Sequence, residues 1–194
     1  MKSVRCMLSF VVMLFSTLAV AQSAAPSAQK SDAQKSFDIL KTLAGTWQGP
    51  VKADPPQRDW EAKPVHVSLR ITSRGNALVH EMADPDHVND PTHYDHPVTM
   101  LYLDNGKLTL THYCDAGNRP RMVARTSPDG KKVEFDFVDL AGGNQYGHMY
   151  HAVFTIIDAN HHIEDWTYME PGDKPIRARL DLQRTNVGSG AAGK

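Results

Sequence analysis

Sulfur chemistry is nearly missing from this chain. It carries two cysteines in 194 residues, and Cys6 falls in an N-terminal segment with the features of a secretory signal. Cys114 is then the only cysteine of the mature chain, so an intramolecular disulfide is excluded. No C-x-x-C or C-x-x-C-H occurs, which disfavours thioredoxin-like exchange and covalent c-type haem attachment. H-E-x-x-H, G-x-S-x-G, G-x-G-x-x-G and Walker loops are also missing, and with them the zinc-protease, serine-hydrolase, dinucleotide and P-loop chemistries those motifs support. An excess of positive charge is lacking too. Without Lys2 and Arg5, 19 basic residues face 22 acidic ones, a net of −3, which leaves no electrostatic footprint for nucleic acid or an anionic membrane surface. No strand–helix–strand alternation appears, so a parallel sheet is excluded.

The segment 1–21 reads as a signal peptide. Lys2 and Arg5 supply the positive n-region, Met7 to Val20 the apolar stretch, and Ala19-Val20-Ala21 a small-residue cleavage site. That stretch is shorter than the about 20 residues a membrane span needs. The expected location is secreted or periplasmic, with no membrane association after cleavage. Residues 22–30 are small and polar and predict a flexible lead-in. Residues 31–186 form the expected single domain, and the Gly- and Ala-rich tail at 187–194 is expected to be disordered. A chain of this size buries roughly 68–70% of its unfolded surface, so a core needs no disulfide staples.

Ser31 and Gln34 form a capping-box pattern ahead of Phe37, Leu40 and Leu43, which share one helical face. Gly45 is placed to stop that helix. From Trp47 the period switches to two. Val65, Val67, Leu69 and Ile71 alternate with polar residues, and similar runs recur at 77–82, 98–103, 107–114, 121–126, 132–138, 148–157, 162–169 and 176–184. Turn signals such as Asp104-Asn105-Gly106 and Pro171-Gly172-Asp173 separate them. The prediction is an all-β, antiparallel barrel of about ten strands with a short N-terminal helix. Ala83–Asp95 and Leu140–Gly147 are long loops and are expected to frame its mouth.

Gly45-Thr46-Trp47 resembles the opening of lipocalin-like, calycin-type barrels. In that family the Trp packs across the closed end against an Arg of the last strand, which implies structural roles for Trp47 and Arg184. The chain also resembles a set of secreted bacterial proteins of unknown function. It shares with them Leu43-Ala44-Gly45-Thr46-Trp47 and the segment Leu110-Thr111-His112-Tyr113-Cys114 followed by Asn118, Pro120 and Met122. The resemblance spans most of residues 36–184. The opening is also similar to that of nitrobindin-like haem barrels, although no histidine here matches their haem ligand.

The hairpin at 96–114 is the richest place for chemistry. A three-residue loop, Asp104-Asn105-Gly106, pairs Leu103 with Lys107 and sets Met100 opposite Leu110, Val98 opposite His112 and His96 opposite Cys114. One face then carries Met100, Tyr102 and Leu110, with His96, His112 and Cys114 clustered at its far end. Directly opposed residues have Cβ atoms about 4.5–5.5 Å apart, so the three could hold a transition metal. A two- or four-residue loop shifts the register and breaks the cluster. His161 and His162 follow a turn and are expected to be exposed. Glu134 and Asp136 alternate with Phe135 and Phe137 and are expected on a wet face. Trp166 and Tyr168 share a face with Glu164, either lining a cavity or forming an ordinary sheet face.

The leading expectation is a non-enzymatic carrier of a small apolar or amphipathic molecule, with Met100, Tyr102, Leu110, His112 and Cys114 lining the cavity. A second is a metal or haem protein using His96, His112 and Cys114. A third is an enzyme with a barrel-lining His, for which no catalytic residue is assigned. No motif identifies a cofactor or an oligomeric state.

Overall fold

The computed structural model describes residues 29–126 and 130–185. The signal segment, most of the lead-in and the tail at 187–194 lie outside the described residues. The chain begins with helix α1 (Asp32–Lys41). Ser31 caps it, its Oγ accepting the Gln34 N–H at 3.2 Å, while the Gln34 amide turns away to Asp38. Strands β1 (Gly45–Gly49) and β2 (Val51–Asp54) follow, then a four-residue helix α2 (Arg58–Glu61) that the sequence pattern does not announce. Nine further strands complete the chain: β3 (Val65–Thr72), β4 (Ala77–Ala83), β5 (Val98–Asp104), β6 (Lys107–Tyr113), β7 (Arg119–Thr126), β8 (Lys132–Ala141), β9 (His148–Asp158), β10 (His161–Glu170) and β11 (Lys174–Arg184).

From β3 onward each strand pairs antiparallel with the next, and β1 closes the ring by pairing with both β3 and β11. β1 and β2 are halves of one strand. Both lie on β11 in a continuous register, Gln48 opposite Gln183 and Val51 opposite Leu180. Pro50 has no N–H for the ladder, and a Cβ at Gly49 would collide with the Asp181 carbonyl. Counted this way, the molecule is a closed antiparallel barrel of ten strands with a short helix near its N-terminus.

The two ends of the barrel differ. One carries the tight hairpins at 73–76, 105–106 and 159–160, and α1 packs over that end. Phe37, Leu40 and Leu43 enter the core beside Trp47, Leu101, Leu108, Phe135 and Leu182. Each such side chain contributes roughly 1.5–3 kcal/mol on burial, and this supplies the packing that a ten-residue helix cannot find alone. The other end carries the long connections at 55–64, 84–97 and 142–147.

The β5–β6 hairpin corrects the expected register. Asn105 (φ 47°) and Gly106 (φ 77°) form a two-residue turn with both central residues left-handed, and Asp104 pairs directly with Lys107. Leu101 therefore faces Leu110, and Thr99 faces His112. Every β5 side chain moves to the opposite face from the one a three-residue loop assigns.

Candidate functional site

The barrel is packed at the α1 end and hollow at the other. A cavity of about 600 Å³ opens among the long loops. Its wall is apolar where β2, β10 and β11 contribute Val51, Trp166, Ile176, Ala178 and Leu180, and polar where His112, Cys114 and Tyr168 reach it. β2 pairs with β11, and on its other side it has no partner, because β3 begins at Val65, opposite Gly49, and has no residue alongside β2. Segment 55–64 crosses that gap, and its residues Gln57, Asp59, Trp60, Lys63 and Pro64 form part of the cavity wall. Glu61 secures the crossing, because its Oε1 accepts the Ala53 and Gln57 N–H groups, each at 3.2 Å. Those two backbone donors and the nearby Lys52 outweigh desolvation and hold the Glu61 carboxyl below its ordinary value.

A polar layer lies between the packed and hollow halves. Three adjacent strands place His80, Thr99 and His112 in one row on the inner face. From across the barrel, β10 sends in His162, Glu164, Trp166 and Tyr168 in turn. Glu164, His80, His162 and His112 have no solvent exposure. The Glu164 carboxylate accepts from His80 Nε2 at 2.9 Å, His162 Nε2 at 2.9 Å and Trp166 Nε1 at 2.9 Å. Burial alone would raise the Glu164 carboxyl, but the two imidazoles and their hydrogen bonds outweigh it and hold the group well below the carboxylate range. His162 also sits edge-on to Trp47 at 4.2 Å, which ties the layer to the packed end.

Among the described residues, His112 is the one histidine on the cavity wall. Its Nδ1 lies 2.8 Å from Thr99 Oγ1, and its buried Nε2 has no partner. Burial, then the neighbouring His80, pushes it down to about 3, so the ring is neutral at physiological pH. An imidazole so weakly basic is a poor general base near pH 7, where a matched pKa is most efficient. It remains a good hydrogen-bond partner for a neutral ligand group.

The structure separates several residues that the sequence pattern places together. His112 and Cys114 line the cavity, and Leu110 is buried on the same inner face. Met100 and Tyr102 point from the opposite face, where the Tyr102 hydroxyl meets Thr111 Oγ1 at 3.0 Å. His96 is turned away, with Nε2 2.8 Å from the His87 carbonyl and Nδ1 4.0 Å from Glu81. His96, His112 and Cys114 therefore do not converge, because the two-residue turn sets Val98 opposite Tyr113 and leaves His96 out of phase with Cys114. Burial, with the charges of Asp95 and Asp115 behind it, also pushes the Cys114 thiol up, the wrong direction for a thiolate ligand. The residues thus do not fit the expected three-ligand metal centre. The one group of potential metal ligands among the described residues is Glu134, Asp136 and His151, on the outer face and already engaged by Arg125.

His162 is fully buried rather than exposed, and His80 carries no sequence motif at all. Their only signal is phase. His80 follows Leu78 at the inward spacing of β4, and His162 and Glu164 precede Trp166 at the inward spacing of β10. Asn118 ties two open-end loops together, its amide donating to the carbonyls of Gly143 at 3.0 Å and Gly147 at 2.7 Å. At the packed end, the Arg184 guanidinium lies 4.1 Å over the Trp47 ring and donates to the carbonyls of Ala44, Thr42 and Ala159.

No protein-family model matches the sequence. No curated protein matches it either. Among solved structures, the crystal structure of Rv2717c from M. tuberculosis is similar, with a TM-score of 0.53 and 14% sequence identity over 77% of this chain and 97% of that one. At that identity the likeness supports the barrel fold alone.

Proposed function

We propose that this is an exported, lipocalin-like barrel that binds a small apolar or amphipathic molecule in its hollow half and is not an enzyme. One observation carries the reading: a cavity of about 600 Å³ above the buried polar layer, with His112, whose buried Nε2 has no partner among the described residues, in its lining. Ligand cavities of this size combine an apolar lining with a few placed polar groups. A buried nitrogen without a partner costs free energy until a ligand or water satisfies it. The sequence features of the first 21 residues support export, and the Trp47–Arg184 pair supports the lipocalin-like kinship.

Native mass spectrometry of residues 22–194, purified from an exporting host, tests this reading together with titration of the apolar fluorophore N-phenyl-1-naphthylamine. An organic adduct, or saturable one-to-one probe binding that Ala178→Trp abolishes by filling the cavity, is the expected result. The absence of both an adduct and saturable binding would sink it. A mass excess matching haem or a metal ion, lost in His112→Ala, would replace it with the cofactor reading.

A further inference from the structure

The rim of the cavity is strongly one-signed. Asp59, Asp84, Asp95, Asp115 and Glu170 reach it, against Lys63 as the only basic residue among the described ones. Lys63 is already engaged, 2.6 Å from Asp86 and 3.7 Å from Asp84. Asp59, Asp95, Asp115 and Glu170 have no Lys or Arg partner among the described residues. Asp95 and Asp115 are adjacent in space, the Asp115 N–H donating to Asp95 Oδ1 at 3.0 Å. The field they create is felt by their neighbours. Burial raises Asp95, and the charge of Asp115 raises it further. Burial pushes the Tyr168 phenol up to about 12, with the negative charges of the rim adding to it. The aromatic side chains of Trp60, Tyr168 and Trp166 also line the cavity, and the buried His112 Nε2 is unpartnered.

An acidic rim alone marks no site. Here it surrounds a cavity with a largely apolar wall whose lining includes a buried histidine with an unsatisfied nitrogen, and the combination defines a ligand. We propose that the molecule this barrel takes up is an amphipathic cation, with an apolar body in the hollow half, a neutral polar group bonded to His112 Nε2 and an ammonium-type head among Asp95, Asp115 and Glu170. The inference rests on the hollow half being a binding cavity and adds the charge of its occupant. A carboxylate-bearing ligand would bring its charge against four unpaired acids. A cation is attracted by them and by the aromatic faces.

Three probes that differ only in the head test the proposal: 10-amino-1-decanol, 1,10-decanediol and 10-hydroxydecanoate. Each keeps a distal hydroxyl for His112. Calorimetric titration near pH 7 and low salt is expected to rank them in that order, the amine binding about tenfold or more tighter than the carboxylate. Raising salt to about 0.5 M narrows the gap, because the rim is solvent-exposed. Asp95→Asn combined with Asp115→Asn reduces the gap to about threefold or less. The amide introduced at position 95 keeps a carbonyl oxygen, so the bond from the Asp115 backbone survives the change. Glu170→Gln gives a smaller reduction in the same direction. His112→Phe weakens all three probes alike. Equal or tighter binding of the carboxylate, or an amine preference untouched by the rim variants, overturns the proposal and leaves the binding cavity standing. Failure of all three probes to bind overturns both.

Discussion

His80 Nε2 lies 2.9 Å from Glu164 Oε2, across the barrel and 84 positions along the chain, with neither side chain exposed to solvent. Around this contact the barrel changes from a packed core to a cavity. A buried carboxylate is costly unless its oxygens are satisfied. Here three side-chain donors meet them, and the same residues form the shelf beneath the hollow half.

Glu164→Gln is therefore expected to lower the unfolding free energy by about 3 kcal/mol or more, since the two imidazoles lose their common charged partner in a dry site. Trp166→Phe removes one donor and should cost about 1–3 kcal/mol. Urea unfolding followed by far-UV circular dichroism measures both. A loss below about 1 kcal/mol for Glu164→Gln would mean that the charge of this carboxylate contributes little to the fold.

Stability should fall with acid in two stages. His112 is depressed from 6.5 to about 3 in the fold, so the unfolded chain binds its proton first. Its contribution is complete above 6.5 and is lost as pH falls toward 3, with a slope approaching about 1.4 kcal/mol per pH unit. Glu164 is also depressed, but its loss begins only once pH drops into the ordinary carboxylate range near 4.5. Urea midpoints between pH 7.5 and 5 (roughly the His window) should decline in the parent and decline less steeply in His112→Gln, where His148, also held below its ordinary value by burial, keeps part of the slope. An equal decline in that variant would assign the effect to other groups.

Arg184 joins the first and last strands by stacking on Trp47 and by donating to three carbonyls. Arg184→Ala should cost about 2 kcal/mol or more. Arg184→Lys should recover only part, because an ammonium lacks the planar fork that reaches several carbonyls at once. Thermal unfolding of the two variants side by side distinguishes this from a purely charge-based role, which Lys would restore in full.

Two glycines are expected to behave differently. Gly106→Ala adds a Cβ into open space, so only the left-handed backbone is strained, at about 1 kcal/mol. Gly49→Ala drives its Cβ into the Asp181 carbonyl at the bend between β1 and β2, where backbone must move, and should cost about 1–3 kcal/mol or more. Comparable losses would show that the close approach of β1 and β11 is not what demands glycine there.

Alternation alone made the strands legible. Residues at i and i+2 share a face whatever the rest of the chain does, so the runs at 65–71 and 98–103 announce strands without reference to their partners. The cap at Ser31 and the inward face of Phe37 and Leu40 are local for the same reason. The hairpin was only half legible. Asp-Asn-Gly is compatible with a two- or a three-residue loop, and that one-residue difference decides whether Met100 or Leu101 faces the core.

The all-β period, the helix before the first strand, the ten-strand count and an open end with long loops all follow from the chain read residue by residue. Which polar residues meet does not. His80 and Glu164 become neighbours because closing the ring brings β4 and β10 face to face across the interior. Hydrophobic phase is a local property of a strand, whereas a contact across a barrel depends on the register of every strand between its ends.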